Sequence, residues 1–296
     1  MNQIFNEDVL VCLDRIQDNS IDLMIIDPPY FRVLKREKWD KFKDFNTYIK
    51  WSDSYLTKCI SKLRLSGTLL LYGCCVSLST MCSLNDIMIK NGMYFVQEIV
   101  INKGIKSMAG RISDKINMCP PVSENIFVYR KDAKPFVKNL LKSKQKEFGL
   151  STKQIKEKLG MPLNGGGNWT KYCGNTEFPL LPTKENWEKI CNLFQLNIPY
   201  HNIEETYNGI FGLSNVWDDI NFYIKNRKHP SEKPIPLAER CISIFSNEND
   251  TVYIPFAGSG NDIIVCMKHN RNYIASEIDK EYYDKIIQSV NEYKNK

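Results

Sequence analysis

Apolar and polar positions along the chain follow two periods. Apolar residues recur at helical spacing over 9–16, and 21–26, "IDLMII", is a nearly continuous apolar run of strand length. Helical spacing returns at 48–62 and 78–90, while "GTLLLYG" (67–73), "FVQEIVI" (95–101) and "ENIFVYR" (124–130) read as strands. The alternation stops over 131–228. It resumes with a helix over 235–245, a strand "DTVYIPF" (250–256), a glycine turn, a helix "NDIIVCMKH" (261–269), a strand "NYIASEI" (272–278) and a closing helix. Helix and strand in turn predict an α/β fold, a doubly wound and mostly parallel sheet with helices on both faces. Residues 1–130 and 229–296 are expected to build that one sheet, with 131–228 inserted between them.

Composition narrows the class. With 296 residues, 43% hydrophobic and 25% charged, the chain is expected to be an ordinary globular protein. No apolar run approaches the roughly 20 residues a membrane span needs. The start "MNQIFNEDVL" lacks the basic-then-apolar pattern of a signal peptide, so a cytoplasmic location is expected. The ten cysteines are scattered with no C-x-x-C pair, and His201, His229 and His269 stand far from any cysteine pair. They read as reduced core thiols, and no metal site is expected. The net charge is +6, and residues 131–160 hold nine lysines against three acids, the same excess. That run is either a solvated linker or a basic face for a polyanion.

Two stretches carry chemistry. "VYIPFAGSGNDIIVCMKHNRNYIASEID" reads as strand, Gly-x-Gly turn (Gly258, Gly260), helix, and a second strand ending in Glu277. In doubly wound sheets an acid about twenty residues past such glycines reaches a ribose hydroxyl. The full G-x-G-x-x-G is absent, which suits a nucleoside better than a pyrophosphate; a plain strand-turn-helix with a surface Glu is the alternative. The other stretch is "SIDLMIIDPPYF" (20–31). At the carboxyl end of a strand, Pro28 and Pro29 fix φ and remove amide donors, so Asp27 and nearby carbonyls form a rigid set of acceptors. Tyr30 adds a flat ring with a polar tip. Such a set suits a planar amine, such as the exocyclic NH2 of a nucleobase, where a capped proline turn is the plainer reading.

"DPPY" together with "PFAGSG" resembles the S-adenosylmethionine-dependent amino-methyltransferases. The catalytic motif precedes the cofactor loop, the permuted order of the β class of DNA N6-adenine and N4-cytosine methyltransferases. "RKHPSEKPIPLAERCI" (227–242) resembles that family's H-P-x-x-K-P segment, and "EIVINKGIKSMAGR" with "ENIFVYRKD" its strand and loop before target recognition. The resemblance implies a Rossmann-like fold and transfer of a methyl group to adenine N6 in double-stranded DNA, with cytosine N4 as the alternative. It implies catalytic roles for Asp27, Pro28, Pro29 and Tyr30, with Tyr30 and Phe31 against a flipped base. Cofactor contacts are implied for Asp8, Asp27, His229, Lys233, Pro234, Phe256, Gly258, Ser259, Gly260 and Glu277, with His229, Lys233 and Pro234 at the methionine end. The family usually has Asp where Ile254 stands and Thr where Asn261 stands. It also places the chain in a bacterial or phage cell beside the nucleoid, in a restriction–modification or solitary modification system. A cognate restriction endonuclease and a second copy of the chain are open as partners. A DNA-binding regulator with a silent methyltransferase fold is the reading from another class.

In the β class the target-recognition region lies where residues 131–228 fall. "GLSTKQIKEKLGMP" offers Ser151 and Gln154 as a capping box, then Ile155 and Leu159 on one face, stopped by Gly160 and Pro162. A second helix is expected from Thr183 through Phe194. The run 149–197 resembles a lambda-repressor-like helix-turn-helix, interrupted by Gly165, Gly166 and Gly167, each costing about 1 kcal/mol in a helix. A helix is therefore expected to begin only at Asn168. Arg111, Lys153, Asn168, Trp169, Lys171 and Tyr172 are candidate DNA contacts, with Trp169 and Tyr172 equally readable as core aromatics.

Overall fold

The computed structural model describes residues 2–31, 37–73, 78–104, 119, 121–163, 168–174, 176–177 and 179–295. These divide into two units, Met1–Lys131 with Thr206–Lys296, and Asp132–Glu205.

The first unit is built on an eight-stranded sheet. Its strands are β1 (Gln3–Phe5), β2 (Ile21–Ile26), β3 (Leu63–Gly73), β4 (Met93–Asn102), β5 (Ser123–Lys131), β6 (Val216–Trp217), β7 (Thr251–Ile254) and β8 (Asn272–Ser276). Their order across the sheet is β1-β8-β7-β2-β3-β5-β4-β6. Five of the seven pairings are parallel, and β5 runs antiparallel to both neighbours. The sheet is thus mostly parallel, as the alternation of elements required.

Both faces of β2 are buried, which explains its run of apolar residues. Leu23 and Ile25 face one core, shared with α8 (Ile235–Phe245), α9 (Asn261–Lys268) and α10 (Lys280–Lys294). Ile21, Met24 and Ile26 face the other, shared with α1 (Val9–Arg15), α2 (Phe45–Lys62) and α3 (Leu78–Lys90). Asp22, the one charge inside the strand, is buried but satisfied: Arg64 donates to it at 2.6 Å and the Thr251 amide at 2.8 Å. It thereby ties β2 to the starts of β3 and β7, and the strand's carboxyl end is left to carry the site.

The insertion is shorter than expected. Residues 206–228 belong to the sheet unit and not to a 131–228 insert, because β6 pairs with β4 and Trp217, Ile220 and Phe222 are buried in the sheet core. The second unit holds α4 (Lys134–Glu147), α5 (Thr152–Leu159), α6 (Asn168–Cys173) and α7 (Lys184–Phe194). The capping box at Ser151 and Gln154 forms in both directions, Gly160 takes a left-handed φ of 67° at the helix end, and Thr183 caps α7.

The lysine run is not a linker. Val137 and Leu141 bury one stripe of α4 against Ile155, Trp169, Trp187 and Phe194. Nor do its nine lysines form one face. Lys131 donates to the Ile60 and Leu63 carbonyls of the sheet unit, and Lys156 is buried. Lys138, Lys142 and Lys146 recur every fourth residue and so share a stripe of α4 beside its buried one.

Candidate active site

The carboxyl ends of β2, β7 and β8 open into one cavity of about 250 Å3. Asp27, Pro28, Pro29 and Tyr30 line it, as do Asp8, His229 and Lys233. Phe256, Gly258, Ser259 and Glu277, also expected from the sequence, line it too. Two expected cofactor residues, Pro234 and Gly260, are not in the lining; they are the N-caps of α8 and α9.

At the β7 side the chain turns tightly. Gly258 and Gly260 have φ of 52° and 78°, a region costly for any residue with a Cβ. A Cβ on Gly260 would lie 3.0 Å from Ile286, and one on Gly258 would lie 3.4 Å from the His229 ring. Glu277, 8% exposed, takes the Gly258 amide on Oε2 and the Asp279 amide on Oε1, each at 2.9 Å. Burial raises its pKa against the pull of those amides. Each oxygen keeps a second lone pair for a hydroxyl. Asn261, where the family usually has Thr, donates to Glu232 at 3.1 Å and to the Lys233 carbonyl at 2.8 Å, fastening the H-P-x-x-K-P segment to the glycine turn.

At the β2 side the Tyr30 hydroxyl donates to Asp27 Oδ1, and the Pro29 carbonyl accepts from buried Tyr48 at 2.9 Å. Lys233 does not simply reach into the cavity. Its Nζ bridges Asp27 Oδ2 at 3.0 Å and Glu124 Oε1 at 2.7 Å, and Lys103 lies 3.5 Å from the other Glu124 oxygen. The ammonium also stands 5.1 Å from the Tyr72 ring centroid and 5.8 Å from that of Tyr30. Burial by itself would lower the Lys233 pKa, but the two carboxylates hold it above the usual lysine value. Burial raises Asp27, with Lys233 opposing. Burial likewise works to raise Glu124, but its two lysines outweigh it and the net shift is downward.

His229 stacks on Trp39 at 5.8 Å and meets the edge of Tyr282 at 4.4 Å. Burial and the nearby Lys233 push it down to about 4, so the ring is neutral near pH 7 and its Nδ1 accepts the Ser231 amide at 3.2 Å. Asp8 caps α1 by accepting the Leu10 amide at 2.8 Å.

Phe31 takes a left-handed φ of 60°, rare for an aromatic residue, and packs on Phe45 and Tyr48 at centroid distances of 5.7 and 5.5 Å. In the second unit Lys153, Asn168 and Lys171 are exposed. Trp169 and Tyr172 are 1% and 3% exposed, so they are core aromatics and not groove-facing side chains. The stripe they form on a six-residue helix has to be buried against α4 and α7. Arg111 lies outside the described residues. Glu124, Trp39 and Asp262 were not anticipated. In the sequence Glu124 reads only as part of a strand, since nothing local marks a charge that meets Lys233 across the fold.

The DNA methylase family profile (N6_N4_Mtase) matches residues 21–289. The chain belongs to this family of N6/N4 DNA methylases. It is 28% identical to the Type II methyltransferase M.HpaI of Haemophilus parainfluenzae over 92% of this chain and 68% of that one. It is 25% identical to the Type II methyltransferase M1.MboII of Moraxella bovis over 95% and 94%. Among solved structures, the M1.HpyAVI–SAM complex has a TM-score of 0.57 at 18% identity, covering 98% of this chain and all (100%) of that one. The PvuII DNA methyltransferase (cytosine-N4-specific) has 0.58 at 14%, covering 100% and 92%. At these identities the two structures speak for the fold. No helix among the described residues is long and apolar enough to cross a membrane.

Proposed function

We propose that the chain is a DNA adenine-N6 methyltransferase that takes its methyl group from S-adenosylmethionine and acts on a base flipped out of double-stranded DNA. The observation that carries the reading is that one cavity joins an acceptor end, Asp27 with Tyr30 and Lys233, to a carboxylate and glycine-turn end, Glu277 with Gly258.

The cavity suits this cofactor on its own terms. Glu277 is fixed by two amides and has lone pairs left for a ribose diol, and the backbone at Gly258 has no Cβ to occupy the space before His229. Asp8 and Phe256 stand at the adenosine side and His229 beside the glycine turn. When bound, the cofactor supplies an electrophilic methyl group on a sulfonium. The protein's part is positioning and electrostatics. Asp27, kept charged by Lys233, and the Pro28 carbonyl accept the two hydrogens of the target amine, which turns the nitrogen lone pair toward the incoming carbon. The Tyr30 ring stacks on the base and, by donating to Asp27, holds the acceptor in place. No covalent enzyme intermediate is required.

The second unit offers DNA the Lys138, Lys142 and Lys146 stripe, with Lys153, Asn168 and Lys171 as exposed polar contacts. A role in restriction–modification follows from the reading, since the two relatives compared above are Type II methyltransferases. The test is mass spectrometry of nucleosides from mixed-sequence DNA incubated with S-adenosylmethionine and either wild type or Asp27→Ala. N6-methyladenine from wild type alone is the expected result. N4-methylcytosine would keep the mechanism and change the base; no methylated base with DNA still bound would favour a DNA-binding regulator.

A further inference from the structure

Among the described residues six carboxylates line the cavity, and five of them have protein partners. Glu7 pairs with Arg15 at 2.9 Å, and Asp8 accepts the Leu10 amide. Asp27 is held by Tyr30 and Lys233, Glu232 by the Lys228 amide and Asn261, and Glu277 by two amides. The sixth is Asp262, the second residue of α9, which lies in the same wall. Among the described residues its only hydrogen-bonding partner is its own backbone amide. Its electrostatic neighbours are Asp27 and Lys233, so it stands at the transfer end of the cavity and not at the Glu277 end.

Lys41 also lines the cavity but is not among the charges that act on Asp262, and among the described residues the charges that meet at that end do not balance. Asp27, Glu124 and Asp262 are three acids, and Lys233 and Lys103 are two bases, which leaves one negative charge when all are ionised. A carboxylate in that position, part-buried and sharing Lys233 with two other acids, is stabilised by a further positive group in the cavity. Burial, with Asp27 beside it, lifts Asp262 to about 6, the expected consequence of an unanswered charge. Ile254, at the position where the family usually has an acid, is buried in the sheet core at 1% exposure and supplies none.

We propose that Asp262 receives the α-ammonium of the cofactor's amino-acid end. This rests on the reading of the cavity as a site for S-adenosylmethionine and adds the residue that recognises its amino-acid portion. S-adenosylmethionine carries two positive charges and one negative at neutral pH, so its net +1 answers the net −1 of the surrounding groups. The Asp27–Lys233–Glu124 set remains free to hold the target amine.

Binding calorimetry with three non-reacting ligands tests it: S-adenosylhomocysteine, its analogue lacking the α-amino group, and 5′-methylthioadenosine, which lacks the amino-acid end altogether. Wild type is expected to prefer S-adenosylhomocysteine to the desamino analogue by about ten- to a hundredfold, the scale of one charge-assisted hydrogen bond. In Asp262→Asn that ratio should fall to near one, while 5′-methylthioadenosine binds as in wild type. A preserved ratio in Asp262→Asn overturns the assignment and leaves the cofactor reading standing. Failure of wild type to bind any of the three overturns both. The ratio is read in Asp262→Ser as well, so that a folding defect peculiar to the first variant does not decide the matter.

Discussion

Replacing Lys233 with methionine keeps the length of the side chain and removes the charge that joins the site. In the wild type the ammonium lies 3.0 Å from Asp27 and 2.7 Å from Glu124, with both lysine and glutamate side chains 12% exposed. Breaking a buried pair by deleting one partner costs about 3–5 kcal/mol, because the charge left behind is uncompensated. Here two carboxylates that shared one cation lose it, and among the described residues Lys103, 3.5 Å from Glu124, is the remaining paired base. The cheapest escape is protonation of Asp27, whose pKa burial already raises and Lys233 now holds back. In the proposed mechanism the ionised form accepts the target amine, so methyl transfer should fall as pH drops through the Asp27 pKa. Loss of Lys233 must move that fall to higher pH, by at least about one unit, each unit being worth about 1.4 kcal/mol. Single-turnover transfer of labelled methyl groups to DNA, measured from pH 5.5 to 9.5, should show a loss of about a hundredfold at pH 7 that partly recovers by pH 9. Urea unfolding should show a loss of about 3 kcal/mol. A variant whose acid limb coincides with that of wild type, however weak its activity, would refute the claim that Lys233 keeps Asp27 charged.

Other consequences are measurable separately. Lys138, Lys142 and Lys146 to Gln should lower the slope of log affinity against log salt by about 2–3, near 0.9 for each phosphate no longer neutralised, in fluorescence titrations with duplex DNA. Trp169→Ala should cost about 3–5 kcal/mol in chemical unfolding of the second unit, whereas Asn168→Ala and Lys171→Ala should stay within about 0.5 kcal/mol and weaken DNA binding instead. His229 titrates at about 4 in the folded chain against 6.5 in the unfolded one. The stability it contributes is therefore complete above pH 6.5 and declines as pH falls toward 4. The melting temperature of His229→Gln should lose less than that of wild type across this window.

What could be read from the chain in advance was chemistry confined to neighbours in sequence. The capping box at Ser151 and Gln154 needs only three residues of context, and Asp27 at the end of an apolar run needs only the run. The glycine turn and Glu277 were legible for the same reason: one strand-turn-helix-strand unit contains both. Elements stabilised from outside were not legible. β1 and β6, of three and two residues, have no periodicity of their own and exist because β8 and β4 offer them edges. In α4 the charge of the lysines drew attention away from Val137 and Leu141, the two residues that make the segment a packed helix. Residues 168–172 leave the same choice open, since aromatic residues in a lysine-rich insert read equally as DNA contacts or core, and burial of Trp169 and Tyr172 selects the core. The site shows the limit most clearly. Lys233 is expected beside the cofactor's methionine end, and nothing in the sequence shows that Asp27, just past β2, and Glu124 from β5 both reach it. A lysine between two carboxylates is a structural charge that sets the state of its neighbours. Among the described residues that leaves Asp262 as the cavity's one acid without a partner beyond its own amide, which is why the proposed contact with the cofactor's cation falls to it and not to Asp27.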